Sequence, residues 1–289
     1  MINRYVIGLF AILASCTQPV PPPAPGGVKY TVGDPYQVGG EWLYPREFND
    51  YDATGLATVI ANGAPAYTAD NESYDPNALA AASPVLQLPC IVTVTNLVNG
   101  RSVDVRVNDR GPMQPGRVLA VTPRVAALLS FPSGGIVEVE VKLNQSQSMA
   151  LQSSVGAVPK LAAAPVAGIS AQSLAPPGTG GASGGVQQLG PSTTNNGMSQ
   201  GVTLSGMVTL GAPGPGPLWV QIPGFGSEDD AFRAMAKIPG LPARVVPVLG
   251  GDRPLWAVNA GPYHTVADAD AALLQMLQLG IAAPEIIVR

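Results

Sequence analysis

Two carboxylates carry the clearest capacity for chemistry in this chain. Asp109 ends an alternating run in which Val103, Val105 and Val107 interleave with Asp104, Arg106 and Asn108, and Arg110-Gly111-Pro112 follows at once. Alternation of this kind buries one face of a strand, so Asp109 stands at a strand end, on a rigid element, where the turn opens its carboxyl to a groove. Glu72 lies in a polar loop, residues 68–79. A carboxyl whose pKa is raised by partial burial can donate a proton near neutrality and take one back. Burial would raise the pKa of Asp109, and a close Arg110 would lower it.

Other chemistries are closed off by composition. The single histidine, His264, excludes a multi-histidine metal site and leaves a Ser/His/Asp triad only through that residue, which reads as an exposed loop position. The two cysteines, Cys16 and Cys90, cannot build a disulfide framework. Fifteen basic against 19 acidic residues, with charged residues only 12% of the chain, leave no basic surface for nucleic acid. No cofactor is expected.

The elements that must position these residues follow from local pattern. Residues 51–143 read as a β-rich globular domain. Runs 90–97 and 102–109 flank Asn99-Gly100, a strong hairpin signal. Thr122-Pro123 opens a helix over 123–129, with Thr as cap and Pro in the first turn. Val137, Val139 and Val141 alternate with Glu138, Glu140 and Lys142, giving another strand. Cys90, in an apolar run, reads as a buried small hydrophobe.

The flanks are of a different kind. Arg4 precedes an apolar run over 5–14, too short to span a bilayer and suited to a secretory signal, 1–15. The run ends in Leu13-Ala14-Ser15-Cys16, which matches the bacterial lipobox, so Cys16 is expected to be lipidated and to become the mature terminus. Thr17, where an Asp would retain the protein in the inner membrane, favours the outer one. Residues 16–50 read as a lipidated tether and leading segment, Pro-rich over 17–27. Residues 145–217 carry one charge, Lys160, and no persistent period, so 144–216 is expected to be a disordered linker. About 70 such residues span very roughly 45 Å, which would make the flanking domains mechanically independent.

Residues 217–289 are globular and internally repeated. Strands at 219–222, 244–249, 256–260 and 285–288 alternate with helices capped by Ser227 and Thr265. Ala231, Met235 and Ile238 form one apolar helix face, and Val266, Ala269, Leu273 and Met276 form the other; Gly280 stops the second helix. The order βαββαβ is a small split α+β fold.

Two stretches resemble a known family. Val105-Arg106-Val107-Asn108-Asp109-Arg110-Gly111-Pro112 resembles the signature of the double-psi β-barrel in the rare lipoprotein A (RlpA) family. Residues 36–45 and 51–55 resemble that family's leading segment, and residues 68–79, with Glu72, resemble its glutamate loop. The stretch 217–289 resembles a SPOR domain, the module that binds peptidoglycan stripped of stem peptides. Lipobox, barrel, linker and SPOR follow in the family's order. The resemblance implies a lytic transglycosylase: it cuts after N-acetylmuramic acid without water, and the sugar's primary hydroxyl closes on the anomeric carbon to leave an anhydromuramic end. It implies Asp109 and Glu72 as catalytic residues, and Ser83, Arg110, Gln221, Trp256 and Tyr263 as substrate-binding ones, the SPOR aromatics by stacking. It also implies denuded septal glycan as the partner, divisome proteins as further partners, and a site on the periplasmic face of the outer membrane, anchored through Cys16 and enriched at the septum.

The chain also departs from the family pattern. Ser83 stands where members carry a histidine, Val59-Ile60-Ala61 replaces an aromatic sugar platform, and Ala120 replaces an aspartate. Serine hydrogen-bonds but shuttles no proton near neutrality. These losses favour an alternative, a catalytically weakened septal peptidoglycan-binding lipoprotein; a third reading is a purely structural tether between outer membrane and wall.

Overall fold

The computed structural model describes residues 26–61, 63–132, 135–156, 202–250 and 253–289. The signal segment, the lipobox with Cys16 and the middle of the expected linker lie outside them.

A short hairpin, β1 (Tyr36–Val38) and β2 (Glu41–Leu43), precedes the first domain. That domain holds β3 (Asp52–Val59), β4 (Ala80–Ala82), β5 (Cys90–Asn96), β6 (Arg101–Asp109), β7 (Arg117–Val121), α1 (Pro123–Leu128) and β8 (Val137–Leu143). The strands run β4-β7-β3-β8-β5-β6, and β4 pairs with β6 as well, closing a six-stranded barrel. The β3–β7 and β4–β6 pairs are parallel and the others antiparallel, the double-psi arrangement. Closure follows the alternation in the sequence. Val103, Val105, Val107, Val137, Val139 and Val141 all point into the core, where Cys90 is also fully buried. Each valine so buried contributes roughly 1.5–3 kcal/mol. Thr122 caps α1 through its hydroxyl, which accepts from the Val125 N–H.

Two local expectations change. The β5–β6 turn takes four residues, 97–100, because Asn96 pairs directly with Arg101. Asn96 and Asn99 both donate side-chain bonds to the Leu129 carbonyl, which ties the turn to α1, and Gly100 takes the positive φ (+73°) that the turn needs. The linker expected over 144–216 is ordered at both ends. Helix α2 (Gln145–Ser154) lies on β5, where Ser148 Oγ accepts from Ile91 N–H at 2.9 Å and Gln152 Nε2 donates to the Pro89 carbonyl at 3.2 Å. Strand β9 (Thr209–Leu210) adds to β6, and the Gly211 and Gly214 amides donate to the Gly100 and Leu97 carbonyls.

The second domain comprises β10 (Leu218–Phe225), α3 (Glu228–Met235), β11 (Ala243–Gly250), β12 (Arg253–Tyr263), α4 (Val266–Gln278) and β13 (Glu285–Val288). Its antiparallel sheet has the order β11-β12-β10-β13. The Ser227 and Thr265 hydroxyls accept from the Asp230 and Asp268 amides, so both caps form as the sequence indicates. The buried helix residues are Ala231 and Ala234 on α3, and Ala269, Ala272, Leu273 and Met276 on α4. They cover Val220, Ile222, Val258 and Ile286 of the sheet, and Ile238, just past α3, joins them.

The domains are not mechanically independent. Leu56 of β3 is fully buried in the core of the second domain, while its neighbour Ala57 points into the barrel. Alternation along one strand thus serves two cores.

Candidate active site

Asp109 is held at the end of β6. Its Oδ1 accepts the Ala69 N–H at 2.9 Å and the Arg110 N–H at 2.8 Å. Burial raises its pKa above the ordinary carboxylate value, against the two backbone bonds and the Arg110 charge, so of the opposed effects desolvation wins. Asp109 lines two clefts. The more polar one, about 260 Å³, also carries Glu72, Tyr74, Arg106, Asn108 and Thr122. The other, about 560 Å³, is mainly apolar and carries Thr58, Ile60, Met113 and Ala120. The carboxyl therefore borders both clefts.

Glu72 is beside it but differently employed. Its carboxylate forms an ion pair with Arg106, and Oε2 accepts from Asn108 Nδ2 at 2.7 Å. Arg106 and Asn108 are on β6, so the glutamate loop is pinned to the same strand that carries Asp109.

The structure adds a third carboxyl, Asp70, which the sequence reading passed over. It is fully buried. Oδ1 accepts from the Thr68 hydroxyl at 2.7 Å and the Glu72 N–H at 3.1 Å, while Oδ2 has no hydrogen bond and stands 3.6 Å from Arg106 Nη2. Burial, and then the Glu72 charge, pushes its pKa up to about 6. Asp70 closes the 68–72 turn, and the Asp70 N–H donates to the Asn108 carbonyl at 3.1 Å, which brings the Ala69 amide against Asp109. Its place inside the same short loop as Glu72 was the available signal.

Ser83 and Arg110, both expected to contact substrate, bond the backbone around them, and Arg110 also lines the apolar cleft. Ser83 is fully buried and lines neither cleft; its hydroxyl accepts from the Val85 and Leu86 amides at 3.4 and 3.3 Å, closing a turn. The parallel β4–β6 pairing brings its backbone, not its side chain, to Asp109: Ser83 N–H donates to the Asp109 carbonyl at 3.0 Å. The Arg110 guanidinium turns to three backbone carbonyls, those of Ser83, Leu86 and Val32, and so fastens the leading segment to the barrel.

In the second domain the expected binding residues separate. Trp256 and Tyr263 pack, partly buried, against the core under the helices. Strand alternation puts Trp256 on the same side as Val258 and Ala260, toward the helices. Gln221 is on the opposite face, in a row of directly paired residues that crosses the sheet: Arg244, Asn259, Gln221 and Glu285. Gln221 Nε2 donates to Asn259 Oδ1 at 2.7 Å, and the Arg244 guanidinium lies 4.2 Å from the centre of the Trp219 ring.

A closed double-psi barrel with a raised carboxyl between two clefts, packed against a βαββαβ domain, defines a two-domain class. The comparisons identify both parts. A family described as lytic transglycolase matches residues 52–141, and the SPOR domain family matches 214–286. The endolytic peptidoglycan transglycosylase RlpA of Pseudomonas aeruginosa strain PAO1 is 32% identical over 258 residues, covering 84% of this chain and 72% of the relative. Proteins of the same name from Rickettsia bellii and Yersinia pestis are 35% and 39% identical over 117 and 111 residues, covering 39% and 38% of this chain. These alignments span 52% of the Rickettsia protein and 31% of the Yersinia one. The chain belongs to the RlpA family.

Proposed function

We propose that this chain is a lytic transglycosylase acting on peptidoglycan glycan strands, with Asp109 as general acid and then base. The observation that carries the reading is a partly buried carboxyl, fixed by two backbone amides, at the junction of two clefts. In the reaction the bond between the anomeric carbon of N-acetylmuramic acid and the bridging oxygen breaks. Asp109 gives its proton to the leaving oxygen. The sugar's primary hydroxyl oxygen bonds to the anomeric carbon, and its proton goes to the Asp109 carboxylate. No water is consumed and one carboxyl serves both steps, whereas most glycoside hydrolases pair two. Glu72 assists by holding Arg106 and Asn108 along the polar cleft, where they can bind sugar hydroxyl and amide groups.

The finer reading is a lipoprotein attached through Cys16 to the periplasmic face of the outer membrane, acting on denuded glycan at the septum with divisome partners. The lipobox, Thr17 and the SPOR match support it. A Cys16→Ser variant should then take up no radioactive fatty acid; undiminished label removes the anchor. A second reading, a binding protein with a weakened barrel, is favoured by the burial of Ser83 at the family's histidine position. The deciding experiment incubates the protein from Thr17 onward with peptide-free glycan strands and seeks anhydromuramic ends by mass spectrometry. Such ends are expected; strands bound but left intact would establish the second reading.

A further inference from the structure

The contact between the domains is built like an interface. Arg117, on β7, has a fully buried side chain, and both of its terminal nitrogens bond the Asp270 carboxylate of α4 at 2.7 Å. The Thr54 hydroxyl on β3 donates to the Val288 carbonyl at 2.8 Å and accepts the Val288 N–H at 3.2 Å, which occupies backbone groups of the β13 edge. A Cβ on Gly55 would lie 2.9 Å from the Ile286 carbonyl oxygen, and one on Gly116 would lie 3.0 Å from both Ile286 and Leu273 side chains, so the two surfaces meet at backbone distance. The β1–β2 hairpin braces the side: Glu41 Oε2 accepts the barrel's Gly116 N–H, and the Trp42 N–H donates to Ala282 of the second domain at 2.8 Å.

The place of this contact gives it a further meaning. It uses residues 54–56 of β3 and 116–117 at the start of β7, two strands paired in parallel with Leu56 opposite Arg117. The other ends of the same strands form the clefts: Thr58, Ile60 and Ala120 line the apolar one, and Ile60 and Thr122 line the polar one. The Ile60 N–H donates to Val121 at 2.8 Å and closes the pair at that end.

We propose that the barrel is the docking partner of the second domain's β13 edge and α4, that the Arg117–Asp270 pair latches them, and that the latched domain braces the β3–β7 pair that walls the clefts. The charge arrangement commits the surface to this occupant: a bidentate guanidinium–carboxylate pair fixes geometry as well as charge, and a buried guanidinium without its carboxylate is strongly disfavoured. The latch makes no use of the proposed reaction and stands if that reading fails.

Amide hydrogen exchange on the full chain tests both parts. The Trp42 and Val288 amides report docking, Ile60 reports the brace, and Val258 in the centre of the second sheet is the control. Asp270→Ala leaves Arg117 buried and unpaired, and should speed exchange at Trp42 and Val288 by about 100-fold. Ile60 should follow, and Val258 should not. The double variant Arg117→Met with Asp270→Leu replaces the ion pair by apolar contact and should recover protection. Unchanged exchange at Trp42 and Val288 in Asp270→Ala would overturn the latch. Loss there with Ile60 unaffected would overturn the brace.

Discussion

The barrel clefts and the Gln221 row of the second sheet place polar groups in opposite ways. Around β6 three carboxyls, Asp70, Glu72 and Asp109, lie near the guanidinium groups of Arg106 and Arg110, and the buried Oδ2 of Asp70 has no hydrogen bond. Across the second sheet, Gln221 donates to Asn259 in a buried amide pair whose Asn259 Nδ2 has no hydrogen-bond partner, and Arg244 is stacked on Trp219. Burial around β6 raises the proton affinities of Asp70 and Asp109, which suits proton transfer. In the second sheet the amides bond each other below the surface and the Trp219 ring is covered by a guanidinium. The clefts thus gather titratable carboxyls, whereas the centre of the second sheet buries a neutral amide pair.

The largest loss of stability is expected at Leu56, a barrel-strand residue buried in the second domain's core. Leu56→Ala removes a fully buried side chain from the second core while leaving the barrel's own core residues in place. The cost should be about 3 kcal/mol. Calorimetry should show the second domain destabilised by a substitution made in the first. A change confined to the barrel transition would mean that the domains do not share that core.

A pH series sharpens the electrostatic half. Asp70 has a folded pKa of about 6, above the roughly 3.9 of an unfolded chain, so folding favours its protonated form. The stability this contributes is complete below about pH 4 and is lost as pH rises through about 6. Asp70→Asn keeps an acceptor for Thr68 and Glu72 without the charge. It should stabilise the protein by about 3 kcal/mol at pH 8 and by almost nothing at pH 4, measured by urea denaturation. Equal effects at both pH values would show that the Asp70 charge is not what separates the two regions.

Ser83→Ala is the smallest change. It removes a turn-closing acceptor from two amides and should cost about 1 kcal/mol, with glycan cleavage unaltered once the protein is folded. A large fall in cleavage at unchanged stability would return Ser83 to the substrate surface.

What the sequence revealed followed from how local each signal is. The valines of β6 and β8, the caps Thr122, Ser227 and Thr265, and the βαββαβ order all depend on neighbours within a turn or a strand. Helix α2 escaped notice because polar side chains bonded to the distant backbone of β5 hold it, rather than an apolar stripe. The orientation of Ser83 depends on a parallel pairing across 26 positions, Ala81 with Val107, and the burial of Asp70 on its loop folding onto Asn108. Leu56 carried a legible anomaly: it is an apolar residue on the outward face of a barrel strand, and only the docked domain explains it.

The central claim is that Asp109 carries the proton. Asp109→Asn retains an oxygen to accept the Ala69 and Arg110 amides but removes the titrating group. The most direct measurement compares anhydromuramic ends released from peptide-free glycan by the wild type and by this variant, each shown to bind the strands equally. The account predicts a loss of at least ~100-fold in cleavage. A variant that releases these ends at the wild-type rate would contradict it.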